Sequence, residues 1–293
     1  MKKLDQLMLE MNDFVQNVDK KWQSKNYELS LFPDLAYESL TDLKSFLAPP
    51  LELFLNGLEE GIKIPFQTYP DAIFSDFPFT LARTPKVHLD MYYWFHTDTS
   101  VHNHHFSGAF KVIQGKSHQL SYEFKVSNKI DEHLFEGETT KKSDLILSVG
   151  DVHRIHPQDE FIHQVIHLEK PTVTLCLRTD NLPGMNLWSF ILPKYKILYK
   201  DFDENQKKWY QSLKNIYRHY PKAIPQQIDQ MPLTAGDILR IIIQANSGDK
   251  PLEPIHQLLL TSLQEKGIGL GFFEMLQSQH KINQKLKMFG AIS

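Results

Sequence analysis

Three histidines near the middle of the chain have the residue type and spacing of metal ligands. His102 and His104 stand two positions apart, and in an extended strand such residues point to the same face. A third imidazole, His163, lies in an apolar segment where an unexplained buried imidazole would be costly. Three imidazoles on one face hold a metal ion and leave coordination positions open for other ligands. The sequence therefore predicts a metal centre on His102, His104 and His163.

Short strands must position these histidines. Between about residues 65 and 193, runs rich in aromatic and β-branched residues alternate with turn signals, which is typical of a barrel or a sandwich. The predicted strands, besides the one that carries His102 and His104, are Val87–Phe95, Gly108–Ile113, Gln119–Val126, Leu145–Val149, Phe161–Leu168 and Thr172–Arg178.

Helical periodicity flanks this region on both sides. Apolar residues recur at three- and four-residue spacing from Leu4 to Val18, and again over residues 39–61, where Pro49-Pro50 interrupts them. We therefore predict three parts: an N-terminal helical segment at 1–64, a barrel with the metal site at 65–193, and a C-terminal helical region at 194–293.

Within the C-terminal region, Thr234 to Asp237 resembles a capping box at the start of a helix. Further helices are predicted at 258–263 and 272–286. We expect the apolar stripes of these helices to pack against the rest of the protein.

Composition excludes several classes of protein. The 293 residues are 41% hydrophobic and 23% charged, with a net charge of −3, and no cluster of Lys and Arg suits a nucleic acid. No apolar run approaches the roughly 20 residues that span a bilayer. Asp5, Glu10 and Asp13 interrupt what would have to be the apolar core of a signal peptide. Cys176, the single cysteine, favours a reducing compartment, and we expect a cytoplasmic protein.

The histidine-containing stretches resemble the two motifs of the cupin superfamily. Residues 99–104, followed by 111–115, are similar to the first motif, and 150–157, followed by His163, to the second. The resemblance implies a cupin barrel, a double-stranded β-helix or jelly roll, so we expect a mainly β protein with helical extensions. His163 comes one residue later than in the cupin pattern, which requires a different local turn between Pro157 and Phe161.

The motif also lacks a usual ligand. Cupins commonly carry a glutamate seven residues before the glycine that ends the first motif, and that place is Gly108 here. Three histidines without a carboxylate resemble the cysteine and mercaptopropionate dioxygenases. The resemblance implies Fe(II), O2 and a small anionic substrate, with Arg83 placed where those enzymes have an arginine that holds the substrate carboxylate.

One feature departs from the thiol dioxygenases. They have a Ser-x-His-x-Tyr relay on the strand after the third histidine, whereas this strand carries Thr174, Cys176 and Arg178. Arg178 would place a fixed positive charge where the tyrosine stood. We therefore expect a different anionic substrate or a different reaction, with Arg178 and Arg83 as the candidate catalytic residues.

The leading hypothesis is a non-haem iron-dependent dioxygenase, an oxidoreductase, that acts on a small anionic substrate such as a thiolate or an enolate. The alternatives are a metal-dependent isomerase, lyase or hydrolase, and a ligand-binding module without catalysis. Imidazole ligands also suit Zn, Ni, Mn and Cu, so ligand type does not identify the metal. The helical extensions would cover the barrel mouth or form a homodimer interface.

Overall fold

The computed structural model describes residues 4–43, 46–68 and 74–191, the backbone of 197–200, and residues 208, 212, 234, 235, 237, 238 and 261. Within these residues the protein is mainly β with helices at the N-terminal side, as the sequence predicted. It divides into two compact units, which are described separately. The first comprises Met1–Glu123 and Thr140–Asn186, and the second comprises Phe124–Thr139 and Leu187–Ser293. The three-part division at 64 and 193 stays a prediction.

The N-terminal segment of the first unit is helical. Its elements are α1 (Leu4–Gln23), a 3₁₀ turn at Leu29–Leu31, α2 (Phe32–Asp42) and α3 (Leu51–Glu59). The predicted stripe is confirmed in α1, where Leu4, Leu7, Met11, Val15, Val18 and Trp22 are all buried. The helical period predicted over 39–61 belongs to two helices. α2 ends at Asp42, and α3 begins after Pro50, since proline is disfavoured in the interior of a helix.

Between Phe77 and Thr179 the described chain forms nine strands. They are β1 (Phe77–Arg83), β2 (Val87–Trp94), β3 (Val101–His104), β4 (Gly108–Gln114), β5 (Ser117–Lys129), β6 (Leu134–Leu147), β7 (Val152–Ile155), β8 (Gln158–His167) and β9 (Thr172–Thr179). In the first unit they form two antiparallel sheets, one ordered β1-β2-β9-β4-β7 and one in which β3, β8, β5 and β6 are neighbours. The eight strands from β2 to β9 are arranged as β2-β9-β4-β7 in one sheet and β3-β8-β5-β6 in the other. This is the strand order of a jelly roll, the architecture of cupins. The predicted fold class is confirmed.

The first sheet is buried on both faces. One face of β2, β4 and β9 packs on the helices through apolar residues, namely Val87, Leu89, Met91, Ala109, Ile113, Val173, Leu175 and Leu177. The alternate residues face the space between the sheets, and they include Tyr92, Trp94, Phe110, Val112 and Cys176. This alternation is the period of two that strand geometry dictates. It explains why β2 and β9 have no exposed residue.

A buried lysine fastens α2 to the sheet. Lys111 projects from the helix-facing side of β4, and its Nζ donates to the carbonyls of Leu40 and Leu43 at 2.9 and 2.8 Å. The last carbonyls of a helix have no partner within it, and a cation there also interacts favourably with the helix dipole. Arg154 on β7 adds an ion pair with Asp34 in the same helix. Helix and sheet are therefore joined by charged groups as well as by apolar packing.

The second unit contains the end of β5 from Phe124 and the start of β6 up to Thr139. It also contains β10 (Trp188–Ile191) and β11 (Ile197–Lys200). β11 lies between β10 and β6. The prediction of helix directly after Pro193 is wrong at residues 197–200, which pair with β6. The predicted capping box is confirmed, since the Asp237 amide donates to the Thr234 hydroxyl and the Thr234 amide donates to the Asp237 carboxylate. The helices predicted at 258–263 and 272–286 lie outside the described residues, apart from residue 261.

None of the described helices combines the length and the apolar character that crossing a bilayer requires.

Candidate metal centre

Two neighbouring strands bring the three predicted ligands together. His102 and His104 lie on β3, and His163 on β8 pairs directly with His102 across the ladder. The register between the two strands shifts beyond this pair, so that His104 lies opposite Gln158, whose φ is +58°. The shift accommodates the extra length before His163 that the sequence showed. An irregular turn in β8 thus aligns the third imidazole with the other two.

The three rings form a nearly equilateral triangle. Their centroids are 4.8 Å apart for His102 and His104, 4.8 Å for His102 and His163, and 4.9 Å for His104 and His163. One nitrogen from each ring lies within 4.8 Å of the other two, and all three residues are buried. Nitrogens that share an ion at about 2.1 Å stand roughly 3 Å apart, so small ring rotations complete the site. The residues fit a metal ion.

Hydrogen bonds orient two of the rings. The Nδ1 of His102 lies 2.8 Å from the Ser100 carbonyl oxygen, and the Nδ1 of His163 lies 3.3 Å from the Gln119 side-chain oxygen. Both partner atoms are oxygens that accept, so these contacts favour the tautomer with the proton on Nδ1. The lone pair is then on Nε2, the nitrogen left free for a metal. Such partners fix the tautomer and raise the basicity of a metal-binding histidine.

The surroundings keep all three imidazoles neutral. Burial lowers the pKa of His102, and burial together with the neighbouring imidazoles holds the pKa values of His104 and His163 well below the ordinary value. A neutral imidazole has the lone pair that metal coordination needs. The triad is therefore ready to bind a cation at neutral pH without first releasing protons.

Replacing Gln119 should weaken metal binding without removing a ligand. In Gln119→Ala, the His163 ring loses the acceptor that fixes its tautomer, and we expect metal affinity to fall by about 10- to 100-fold. Competition with a chromophoric chelator measures the change. Gln164→Ala is the control, because Gln164 is next to His163 in β8 and points to the opposite face. Equal affinities in the two variants would contradict the role of Gln119.

A close approach of two backbones explains the missing cupin glutamate. A Cβ at Gly108 would lie 2.3 Å from the Leu177 carbonyl oxygen and 2.9 Å from the Arg178 Cα, both in the adjacent strand β9. No side chain fits without moving the backbone. The place where the cupin motif commonly has a glutamate is thus closed here, and the ligand set has no negative charge from it.

Introducing the glutamate should therefore destabilise the protein rather than supply a fourth ligand. For Gly108→Glu and Gly108→Ala we expect losses of about 2–4 kcal/mol in the free energy of unfolding, because β4 and β9 must separate. Urea unfolding of the metal-free protein measures the loss. Gly150→Ala is the comparison, since a Cβ there meets no atom within 4 Å and only its positive φ is strained. A Gly108→Glu variant of normal stability and tighter metal binding would refute this explanation.

Aromatic rings surround the triad. Measured between ring centroids, Phe161 is 4.4 Å from His163 and 5.6 Å from His104. Phe106 is 5.1 Å from His104 by the same measure. Phe110 is 6.1 Å from His163, and Phe74 is 6.2 Å from His102. These rings make the walls apolar and reduce the access of water. Electrostatic interactions at the site are correspondingly stronger than in solvent.

Arg178 is buried and paired with Asp90. Its Nε donates to the Asp90 carboxylate at 2.8 Å, and each side chain is only 1% exposed. The same carboxylate accepts hydrogen bonds from the hydroxyls of Thr80, at 2.7 Å, and Tyr92, at 3.2 Å. The guanidinium lies over Phe106, with its carbon 4.6 Å from the ring centroid. The Phe106 ring thus contacts both Arg178 and His104. The predicted role of Arg178 toward a substrate stays a prediction.

Arg83, the other predicted anion-binding residue, lies at the end of β1. Its guanidinium is 3.9 Å from the Asp180 carboxylate and lies over the Phe66 ring. Asp180 also contacts the buried His88, with 2.6 Å between the Asp180 oxygen and Nε2. Among the described residues, these contacts place Arg83 beside His88 and Asp180, not beside the triad. Its predicted role in substrate binding is untested.

Sequence reasoning missed two residues that shape the site. Gln119 orients His163, and Asp90 neutralises Arg178. A signal was present for both, because each is a polar residue that alternates with apolar residues in a strand. Asp90 shares a face of β2 with His88, and Gln119 shares a face of β5 with Ser117, which contacts the buried His167. Polar residues at inward positions of a barrel strand indicate an interior network.

Comparisons with known proteins identify no family. No family model matches the chain, and no curated protein matches it. One similar solved structure is the DMSP lyase DddQ from Ruegeria pomeroyi DSS-3, at 14% identity with a TM-score of 0.29, covering 59% of this chain and 94% of that one. Another comes from the structures of the DMSP lyases RdDddP and RnDddQII, at 18% identity with a TM-score of 0.27, covering 53% and 76%.

The prediction of an oxidoreductase of the thiol dioxygenase type is corrected by these findings. Both solved structures named above are of lyases, not of dioxygenases. The inward positions of β9 agree with the correction, since they hold Thr174, Cys176 and Arg178 in place of the dioxygenase relay. A likeness this distant assigns no activity to this chain, whose own side chains supply the argument for one.

Proposed function

We propose that this protein is a metal-dependent cupin enzyme that catalyses a non-redox reaction, of the lyase or isomerase kind, on a small anionic molecule. The observation that carries the proposal is the triangle of three neutral, buried imidazoles, His102, His104 and His163. A divalent ion held by these residues would supply Lewis acidity for a bound anionic substrate. Fe(II), Zn, Ni, Mn and Cu all accept imidazole ligands, so each is a candidate.

Charge balance supports an anionic substrate. The three ligands are neutral, and Gly108 excludes the carboxylate that other cupins carry. The nearby fixed charges cancel, because Arg178 is paired with Asp90. These residues would leave the full 2+ charge of a divalent ion unbalanced. An anionic substrate bound beside the ion would balance that charge.

The aromatic walls limit what can bind. Phe74, Phe106, Phe110 and Phe161 line the triad, so a ligand must be small and must tolerate apolar contacts along its length. The walls also keep water away from the reacting group. A substrate carbanion or enolate formed there is protected from uncontrolled protonation by solvent.

Turnover without oxygen tests the proposal. Metal-free protein is loaded in turn with each of the five divalent metals in an anaerobic chamber and incubated with small carboxylates that carry a leaving group on the β-carbon, and with β-keto acids. In deuterium oxide, we expect NMR to detect elimination or exchange of the α-proton with at least one metal. The activity should vanish on chelation and in His104→Ala, and it should persist in His105→Ala, the neighbouring histidine. The proposal fails if no metal supports exchange or product, or if every reaction requires oxygen.

A further inference from the structure

A fourth histidine, His153, lies near the triad on a different strand. It is on β7, directly opposite Phe110 in the ladder with β4. Paired residues of an antiparallel ladder point to the same face, and Phe110 points into the space between the sheets. The two rings stack with their centroids 5.6 Å apart and an interplanar angle of 23°. Because Phe110 is also 6.1 Å from His163, one ring contacts both histidines.

Within the described residues, His153 differs from the other inward-facing proton acceptors because no hydrogen-bond or ion-pair partner occupies its ring nitrogens. His88 contacts a threonine hydroxyl and a carboxylate through its two ring nitrogens, and His167 contacts a serine hydroxyl. Asp90 is paired with the buried arginine, and burial raises the pKa of the Cys176 thiol to about 12. In the part of the chain that the structure describes, His153 has neither a hydrogen bond nor an ion pair, and it is half-buried.

We infer that His153 is the general base of the reaction proposed above. Because Phe110 contacts both His153 and His163, a molecule bound at the triad and packed against Phe110 would lie beside the His153 ring. The step is a proton transfer: the bond from the substrate to its acidic hydrogen breaks, the electron pair stays on the substrate as an anion, and the proton moves to an imidazole nitrogen. The imidazolium then gives this proton to the product or to solvent, so the protein ends unchanged.

The surroundings of His153 suit this role. Burial lowers its pKa, while the Asp151 carboxylate in the preceding turn raises it, and His163 is the titratable group that faces it from β8. The imidazole is therefore neutral at pH 7 and above, the form that accepts a proton. Partial exposure gives the proton a route to solvent after the reaction.

A proton count on ligand binding tests the inference without any turnover. Acetohydroxamic acid binds metal ions as its anion, so binding to the Zn(II)-loaded protein makes a proton available. Calorimetric titrations at pH 7.5 in buffers of different ionisation enthalpy give the number of protons released to solvent. We expect the wild type to release about one proton fewer than His153→Gln, because the hydroxamate anion bound beside His153 favours the protonated imidazole, which keeps the proton. His156→Gln, a change to a more exposed histidine beside the same strand, should release as few protons as the wild type.

The possible failures are distinguishable. Equal proton release in the wild type and in His153→Gln, with ligand bound in both, overturns the assignment of His153 and leaves the proposed function intact. Loss of zinc from His153→Gln also overturns it, since His153 would then support the metal site itself. If neither zinc nor the hydroxamate binds to the wild type, the proposed function fails together with the inference.

Discussion

Changing His163 to alanine should abolish tight metal binding while leaving the fold in place. Loss of a residue that only orients a ligand costs about 10- to 100-fold in affinity, and loss of the ligand itself should cost at least about 100-fold. His104 and His102 would remain, but they come from one strand and hold the ion from one side only. Equilibrium dialysis with Zn(II) and with Fe(II) under anaerobic conditions measures the affinity.

Thermal unfolding provides the second readout for His163→Ala. A metal that binds only the folded protein stabilises it by about 2.7 kcal/mol when its free concentration is 100 times Kd. The wild type should therefore melt at a higher temperature when metal is added, and the variant should not. His156→Ala is the control, because His156 is partly exposed and pairs with Glu160. Equal stabilisation of His163→Ala and the wild type by metal would show that the triad is not the binding site.

Changing Asp90 to asparagine should cause the largest loss of stability. The substitution leaves the Arg178 guanidinium buried without its counter-charge, and such a loss typically costs about 3–5 kcal/mol. The hydroxyls of Thr80 and Tyr92 also lose the charged oxygens that accept their hydrogen bonds. Urea unfolding of the metal-free protein measures the loss.

Two comparisons make the Asp90 result specific. Asp144→Asn removes a carboxylate that pairs with His118 and Lys141 at the surface, and exposed pairs contribute about 0–1 kcal/mol. The double change Asp90→Asn with Arg178→Met should recover much of the stability, because no unpaired charge is left behind. A loss below about 1 kcal/mol for Asp90→Asn alone would mean that water or another group already neutralises Arg178.

Local pattern predicted that His102, His104 and His163 converge because this depends only on strand geometry. His102 and His104 share a face through the period of two, and β8 has its apolar run where the sequence has one. Strand β6 was harder to predict. We expected a strand at Leu145–Val149, whereas the strand runs from Leu134 to Leu147 and its polar stretch is mostly exposed. A strand with few buried residues has no hydrophobic alternation to reveal it.

The partner of Arg178 could not be predicted for a different reason. The inward direction of Arg178 follows from its place in β9, but Asp90 lies 88 positions earlier in the chain. Only the pairing of β2 with β9 brings them together, since it sets Asp90 opposite Cys176 and next to Arg178. Contacts between distant segments depend on topology and register, and a single sequence specifies these only through the whole fold.

The lysine that joins α2 to β4 has a consequence for any shortened form of the chain. Excising the first 64 residues would remove the Leu40 and Leu43 carbonyls and leave the Lys111 ammonium against an apolar face with no acceptor. Phe110, its neighbour in β4, lies between His153 and His163 on the other face of the strand. A truncated barrel would thus lose the helix that packs behind β4, the strand that places Phe110 beside the histidines. The N-terminal helices therefore support the metal centre.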